Sequence, residues 1–254
     1  MPGTLYNDIY NMRESGNQYG FKTTDETHMM KNMEWGAITY LTHSKYGTCI
    51  NEECTEIALN SNSSYMTGCG PQSNSSTSSG STCNAYNTNL GKLASTTGSV
   101  YGIYDMSGGS FEYIMGDLVY SNGTMMSGFS GTNYQYSGFA GYLYSGGETI
   151  GVYDFPNKRY YDKYSYGTSN TEYTRGKLGD ATKEMSPYYN DYYGDYYSWY
   201  SSIAYFLRGN SPWFIRGGFC NQNSNCLSGT FVSIVGYGDP SYTISARAVI
   251  SNLE

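Results

Sequence analysis

Gly98-Ser99-Val100-Tyr101-Gly102-Ile103-Tyr104-Asp105-Met106-Ser107-Gly108-Gly109-Ser110-Phe111-Glu112-Tyr113 is the stretch from which the fold is read. Val100 to Met106 and Phe111 to Met115 are short apolar runs, and Ser107 to Ser110 between them is turn chemistry, so the pattern predicts two short strands and a tight connection. The same rhythm, an apolar run closed by a Gly-containing turn about every eight to twelve residues, returns at Phe139 to Tyr144, Trp213 to Ile215, Phe231 to Val235 and Thr243 to Ile250. That spacing suits short antiparallel strands joined by many loops.

Toward the N-terminus the periodicity changes. Leu5, Ile9 and Met12 fall on one stripe of a short helix over Thr4 to Arg13, which Gly16 ends. Thr23 and Glu26 form a Thr-x-x-Glu capping box ahead of Met29, Met30, Met33, Ala37, Tyr40 and Leu41, which predicts a second, core-facing helix with Trp35 packed beside it. From residue 48 to 88 the pattern dissolves into Asn, Ser, Thr, Gly and four cysteines, a stapled low-complexity surface loop. Residues 153–200 form a Tyr/Asp-rich insertion of little periodicity, expected to be held by aromatic packing. One domain over 1–252 accommodates all of this, and Leu253-Glu254 reads as a vector-derived scar.

Bulk composition narrows the function classes. Of 254 residues, 32 are Gly and 31 Tyr, only 14% are charged, and the net charge is −7. Nucleic-acid binding draws its affinity from clustered Lys and Arg, and the 14 basic residues here are scattered, so no nucleic acid is expected as a partner. No run of about 18 apolar residues is present to span a bilayer; any anchor is expected in a segment preceding Met1. The six cysteines fall in local pairs, Cys49 with Cys54, Cys69 with Cys83 and Cys220 with Cys226, which suggests three disulfides and an oxidising, extracellular setting. Other connectivities remain open, as do free thiols. Zinc is disfavoured, since no CxxC occurs and His28 and His43 are the only histidines.

Several of these pieces resemble one family. The segment Gly98 to Tyr113 is similar to the "GLYDMSGNVWEW" signature of the formylglycine-generating-enzyme, or sulfatase-modifying-factor, family. Pro212-Trp213-Phe214-Ile215-Arg216-Gly217-Gly218 resembles its "RGGSW" element, Ser245-Ala246-Arg247-Ala248-Val249-Ile250 its closing "GFRVV" strand, and Met33-Glu34-Trp35-Gly36-Ala37 its "EAEWEYAA" helix. The pieces occur in the family's order. The resemblance implies an α+β, C-type-lectin-like fold with two N-terminal helices, short twisted antiparallel strands and long loops. It also implies one of two lives: a copper-dependent oxidase, or a binding protein with a varied C-terminal part, as in targets of diversity-generating retroelements and in pilin-like or phage surface proteins. Two departures stand out: Ala246 replaces the usual aromatic, and no leading strand precedes Leu5, so the sheet is expected to lack one strand.

The candidate residues follow. Glu112 is read as a fold-holding carboxylate rather than a catalytic acid, and Arg216 and Arg247 as buried ions that cap carbonyls or pair with Asp105 and Glu112. Cys220 and Cys226 could hold Cu(I) as the oxidases' pair does, but their offset differs, and a loop-closing disulfide is preferred. Asp180, Asp191 and Asp195 could ligate calcium, as some lectin-like folds do, but they lack the order of a calcium loop and are read as solvated; no cofactor is expected. Function is placed in the segment 216–250, with a protein or glycan ligand contacted by Phe219, Asn221, Asn223, Asn225, Phe231, Ser233, Tyr237, Asp239, Ser241 and Tyr242. Aromatic rings supply rigid contact area there, while Ser, Gly and Asn adapt. An ordinary Gly/Asn-rich loop is the alternative reading. The function expected is that of a non-enzymatic, adhesin-like surface protein, with the oxidase and a structural pilin or coat subunit as rivals.

Overall fold

In the computed structural model the described residues are 1–50, 53–54, 57, 67, 84–108, 110–119, 139, 142–143, 149–150, 156–165, 176–182, 205–207, 211–219, 227–236, 238, 240–241 and 243–252. Their elements, in chain order, are α1 (Pro2–Tyr10), β1 (Asp25–Met29), α2 (Asn32–Thr42), β2 (Cys49–Ile50), β3 (Glu53–Cys54), α3 (Asn89–Leu93), β4 (Phe111–Val119), β5 (Tyr142–Leu143), β6 (Thr149–Ile150), β7 (Asp162–Ser165), β8 (Trp213–Phe219), β9 (Leu227–Gly236), β10 (Ile244–Ala246) and β11 (Ala248–Asn252). The fold is α+β, with a few short helices on small sheets. No helix among the described residues is long and apolar enough to cross a membrane.

β4 is the spine of the main sheet. Eight of its nine residues are buried, so both faces are covered, which is why its sequence lacks clean alternation. One edge of β4 is paired antiparallel with β8, and β9 follows beyond β8. The other edge is shared by three segments in turn: β10 runs parallel to Phe111–Tyr113, Lys31 bridges Met115, and β7 runs parallel to Gly116–Val119. β1 and β11 make a separate antiparallel ribbon, with His28 opposite Val249.

Two apolar clusters lie on the faces of this sheet. One gathers Tyr6, Ile9, Met29, Tyr113, Met115, Phe139, Tyr160 and Trp213 beneath α1. The other gathers Trp35, Met106, Ile114, Leu118, Tyr164, Phe206, Leu207 and Phe214 beneath α2. Packing of edge-on rings characterises the second, with Tyr164 and Phe214 centroids 4.9 Å apart at 78°.

Several sequence expectations need correction. The capping box does not lie at Thr23 and Glu26, because Asp25–Met29 is a strand whose ladder is taken by β11. The box sits eight residues later, where the Glu34 carboxylate accepts the Lys31 N–H at 2.8 Å. The helix presents the opposite face from the one expected: Met33 and Leu41 are exposed, while Asn32, Trp35, Gly36, Thr39 and Thr42 are buried. Thr39 and Thr42 can enter the core because their hydroxyls donate to the carbonyls of Trp35 and Ile38, four residues back, at 2.9 Å each. Trp35 lies on the helix itself, fully buried.

Val100 to Met106 is not a strand. Asp105 has φ +59°, which breaks the extended run, and the carbonyls of Tyr104 and Asp105 accept hydrogen bonds from Arg247 instead of a neighbouring strand. The first strand, β1, follows α1. Within the Tyr-rich insertion, Asp162–Ser165 forms β7, and Asp180 is fully buried rather than solvated. Asp191 and Asp195 lie outside the described residues. Of the cysteines, Cys49 and Cys54 stand opposite one another in the β2–β3 ladder; Cys69, Cys83, Cys220 and Cys226 lie outside the described residues.

Candidate functional site

The registers bring four strand ends together. Ile244 lies beside Phe111, Glu112 opposite Arg216, and Phe219 opposite Leu227. β4 begins, β8 ends, and β9 and β10 begin at one end of the sheet. The connection between Phe219 and Leu227 and the turn that precedes Phe111 therefore leave from the same end.

Two arginines fix the sheet beneath that end. Arg247 meets the Glu112 carboxylate through Nε at 3.0 Å and Nη2 at 2.5 Å, and donates to the carbonyls of Tyr104 and Asp105 at 3.0 and 3.3 Å. Burial pushes the Glu112 carboxyl up, and the Arg247 guanidinium opposes that without cancelling it. Arg216 is fully buried on β8 and donates through Nε to Asn32 Oδ1 at 2.9 Å and through Nη2 to the Asp180 carbonyl at 2.9 Å. Asn32 in turn donates to the Tyr164 hydroxyl at 2.7 Å, and that hydroxyl donates to Asp180 Oδ2. Asp180 Oδ1 accepts the Thr182 N–H at 2.9 Å, so both carboxylate oxygens are engaged within the protein. Burial first, and the Asp180 carboxylate second, hold the Tyr164 phenol well above its ordinary value.

This network depends on a close approach. A Cβ on Gly36 would stand 2.4 Å from the Asp180 Cα, so α2 reaches the 179–181 backbone only because position 36 has no side chain. Next to Arg216, Gly217 and Gly218 take φ +83° and +72°. The Gly217 carbonyl accepts the Gly108 N–H at 2.6 Å, so the turn before β4 is tied to the end of β8.

The residues expected to touch a ligand divide. Asn221, Asn223, Asn225, Tyr237, Asp239 and Tyr242 lie outside the described residues, as does the side chain of Phe219 at the end of β8. Phe231 and Ser233 are interior, 0% and 2% exposed, and do not face a ligand. Ser233 stands in register opposite Arg216, and for Phe231 the cause is a bulge. Between the pairs Arg216–Ser233 and Gly218–Ser228, β8 advances two residues and β9 five. The extra residues turn Phe231 onto α2, where its ring lies 4.8 Å from His43 and 6.2 Å from Tyr40. Trp35 Nε1 donates to the Thr230 carbonyl at 2.7 Å, and the Tyr205 N–H donates to the Ser233 carbonyl at 2.6 Å. β9 is thus held along its outer edge through its own backbone. Ser241 is half-buried and accepts the Thr243 N–H at 3.2 Å.

Exposed rings occur where the sequence reading did not place them. Tyr101 is 89% exposed and Tyr86 59%, with Leu90 and Leu93 nearby in sequence and also exposed. The Tyr104 hydroxyl donates to the carbonyls of Tyr86 and Ser99, both at 3.1 Å, and joins the two segments. Tyr101 lies between Gly98 and Gly102, a position that suits a projecting turn as well as a strand end. That was the available signal.

Among the described residues no group of three or more His, Cys, Asp or Glu gathers to hold a metal ion. No protein-family model matches the chain, and no curated protein matches it.

Proposed function

We propose that this chain is a non-enzymatic recognition module, an adhesin-like ligand binder displayed outside the cell on a C-type-lectin-like scaffold. Its contact face is the sheet end from which the 219–227 connection and the turn before Phe111 emerge. The observation that carries the reading is the contrast at that end: a hydrogen-bonded frame of Arg216, Glu112 and Arg247, and an Asn/Ser-rich connection that begins where β8 ends. Such a frame fixes the strand ends, so the residues between them can change without unfolding the sheet.

The burial of Phe231 and Ser233 narrows the proposed contact set to Phe219, Asn221, Asn223, Asn225, Tyr237, Asp239, Ser241 and Tyr242. Rings would bury apolar area against the ligand, and amides and hydroxyls would fix its orientation. Diversification by a retroelement would suit this arrangement. A near-copy of the codons for 219–242, differing mainly at adenines and lying beside a reverse transcriptase, is the genomic sign that supports it.

The binding test uses the fluorescently labelled chain on a panel of bacterial and epithelial cells. Saturable binding should disappear when 221–225 is replaced by a Gly/Ser sequence of equal length while the circular dichroism spectrum is kept. Unchanged binding by that variant would remove the contact face from this end. The oxidase reading is separated by Cu(I) titration with a native thiol count: one copper held at Cys220 and Cys226 and lost in Cys220→Ser would favour the enzyme.

A further inference from the structure

We infer that Tyr86 and Tyr101 form a separate subsite for a neutral polysaccharide, next in sequence to the turn that precedes β4 and distinct from the 219–227 connection. A tyrosine ring left 89% exposed on a pliant loop would carry little meaning, since scattered apolar exposure is ordinary. Tyr101 instead stands at the end of a stiff hydroxyl ladder. Ser95 Oγ accepts the Thr97 N–H at 3.4 Å, Thr97 Oγ1 the Ser99 N–H at 3.3 Å, and Ser99 Oγ the Tyr101 N–H at 3.2 Å. The Thr97 and Ser99 hydroxyls are themselves 2.8 Å apart, and Thr96 and Ile103 close the base, with the Thr96 N–H on the Ile103 carbonyl and the Ile103 N–H on Thr96 Oγ1, both at 3.0 Å. Tyr86 is held to the same unit by the Tyr104 hydroxyl on its carbonyl and by ring contact with Tyr104, centroids 6.4 Å apart at 89°.

The chemistry around these rings selects the occupant. From Asn84 to Tyr104 the sole charged side chain is Lys92, and the exposed polar side chains include the amides of Asn87 and Asn89 and the phenols of Tyr86 and Tyr101. A cationic partner would find no carboxylate in this stretch and an anionic one a single lysine, so a charged ligand gains little here. A sugar has an apolar C–H face that stacks on a ring and a rim of hydroxyls that pair with neutral amides and phenols. Rigidity matters for such a ligand, because each contact is weak and little can be spent on ordering the loop.

The experiment titrates soluble glucans, mannans and galactans into the full chain by calorimetry. At least one polysaccharide should bind, Tyr101→Ala and Tyr86→Ala should each weaken it by about tenfold or more, and Tyr101→Phe should keep most of the affinity. Binding should hold nearly constant between about 50 and 500 mM salt, as for an uncharged ligand. The Gly/Ser replacement of 221–225 should leave it unchanged, which separates this subsite from the proposed contact face. The inference is overturned if none of the polysaccharides binds, or if binding survives both alanine substitutions. It is equally overturned if sedimentation shows a dimer that Leu90→Ser and Leu93→Ser dissolve, since the patch is then a contact between copies.

Discussion

The two arginines beneath the sheet end solve one problem in different ways. Arg247 lies at the boundary, its side chain 21% exposed, and is matched by a carboxylate, Glu112, that is itself 8% exposed. Arg216 is wholly interior, and its partners include an amide oxygen and the carbonyls of Asp180 and Ala181, with the Phe214 ring 5.5 Å from its guanidinium carbon. A charge at the boundary can still draw on water; one in the interior must be surrounded by dipoles that the fold holds in place. The first arrangement is a local clamp between β4 and the β10–β11 junction. The second joins α2, β7, β8 and residues 180–182, and so depends on much of the molecule being folded.

Breaking the interior arrangement should therefore do most damage. Arg216→Met keeps the volume but leaves Asn32 Oδ1 and two buried carbonyls without their donor, a loss of about 3 kcal/mol or more. For a chain of this length that is a fall of roughly 6–12 °C in Tm. Thermal denaturation followed by circular dichroism measures it, and a fall below about 3 °C would show that the buried guanidinium is dispensable. Gly36→Ala strikes the same place from α2, by pushing a methyl against the Asp180 backbone, and should cost about 1–3 kcal/mol.

The boundary clamp should respond more mildly and in a way that identifies it. Arg247→Met and Glu112→Gln should each cost about 2 kcal/mol, since each leaves a partly buried partner behind. The double variant should cost clearly less than the sum, because removing both ions also removes the desolvation that each one bears. Additive losses in urea denaturation would mean that the two side chains stabilise the fold through separate contacts.

The difference between the arginines also shows what the sequence could and could not reveal. β4, β8 and β9 were legible because each has a short apolar run between Gly or Ser turns: Phe111 to Met115, Trp213 to Ile215, Phe231 to Val235. Their buried Glu112 and Arg216 were legible as polar residues, one inside such a run and one directly after it. The partners were not, because Asn32, Tyr164 and Asp180 come from three distant segments and nothing local marks them. The face of α2 was misread since Thr39 and Thr42 look polar in a sequence and become neutral once each hydroxyl bonds to its own helix. Phe231 was misplaced for a related reason: alternation cannot register a bulge, and the bulge decides which way that ring points.

Acid offers a gentler probe, through a carboxylate on α2. Burial works to raise Glu34, and the hydrogen bonds from His28 and the Lys31 N–H outweigh it, so its carboxyl lies below the ordinary value of 4.5. A folded value below the unfolded one means that the contribution is present at neutral pH and is lost as pH falls from the unfolded value through the folded one. Glu112 is raised instead, so its contribution is present below the unfolded value and is lost as pH rises from there through the higher folded one. Glu34→Gln should therefore flatten the loss of stability between about pH 5 and 3. An acid limb as steep as that of the parent chain would assign the loss to other carboxylates.

The smallest effect is expected at Ala181, whose φ of +56° places it in the left-handed region while its carbonyl accepts from Arg216. That conformation costs an alanine about 1–2 kcal/mol, which glycine would avoid. Glycine would also lose one buried methyl, worth about 0.8 kcal/mol, and gain freedom in the unfolded chain worth about 0.5–1 kcal/mol. These nearly cancel, so Ala181→Gly should change stability by less than about 1 kcal/mol in either direction. Ala181→Val adds a branched side chain to the same backbone and should cost well over that. If glycine instead destabilises by more than about 2 kcal/mol, the methyl packed near Tyr40 and Phe231 outweighs the backbone. The interior arginine would then owe its geometry to side-chain packing around residue 181 more than to the turn itself.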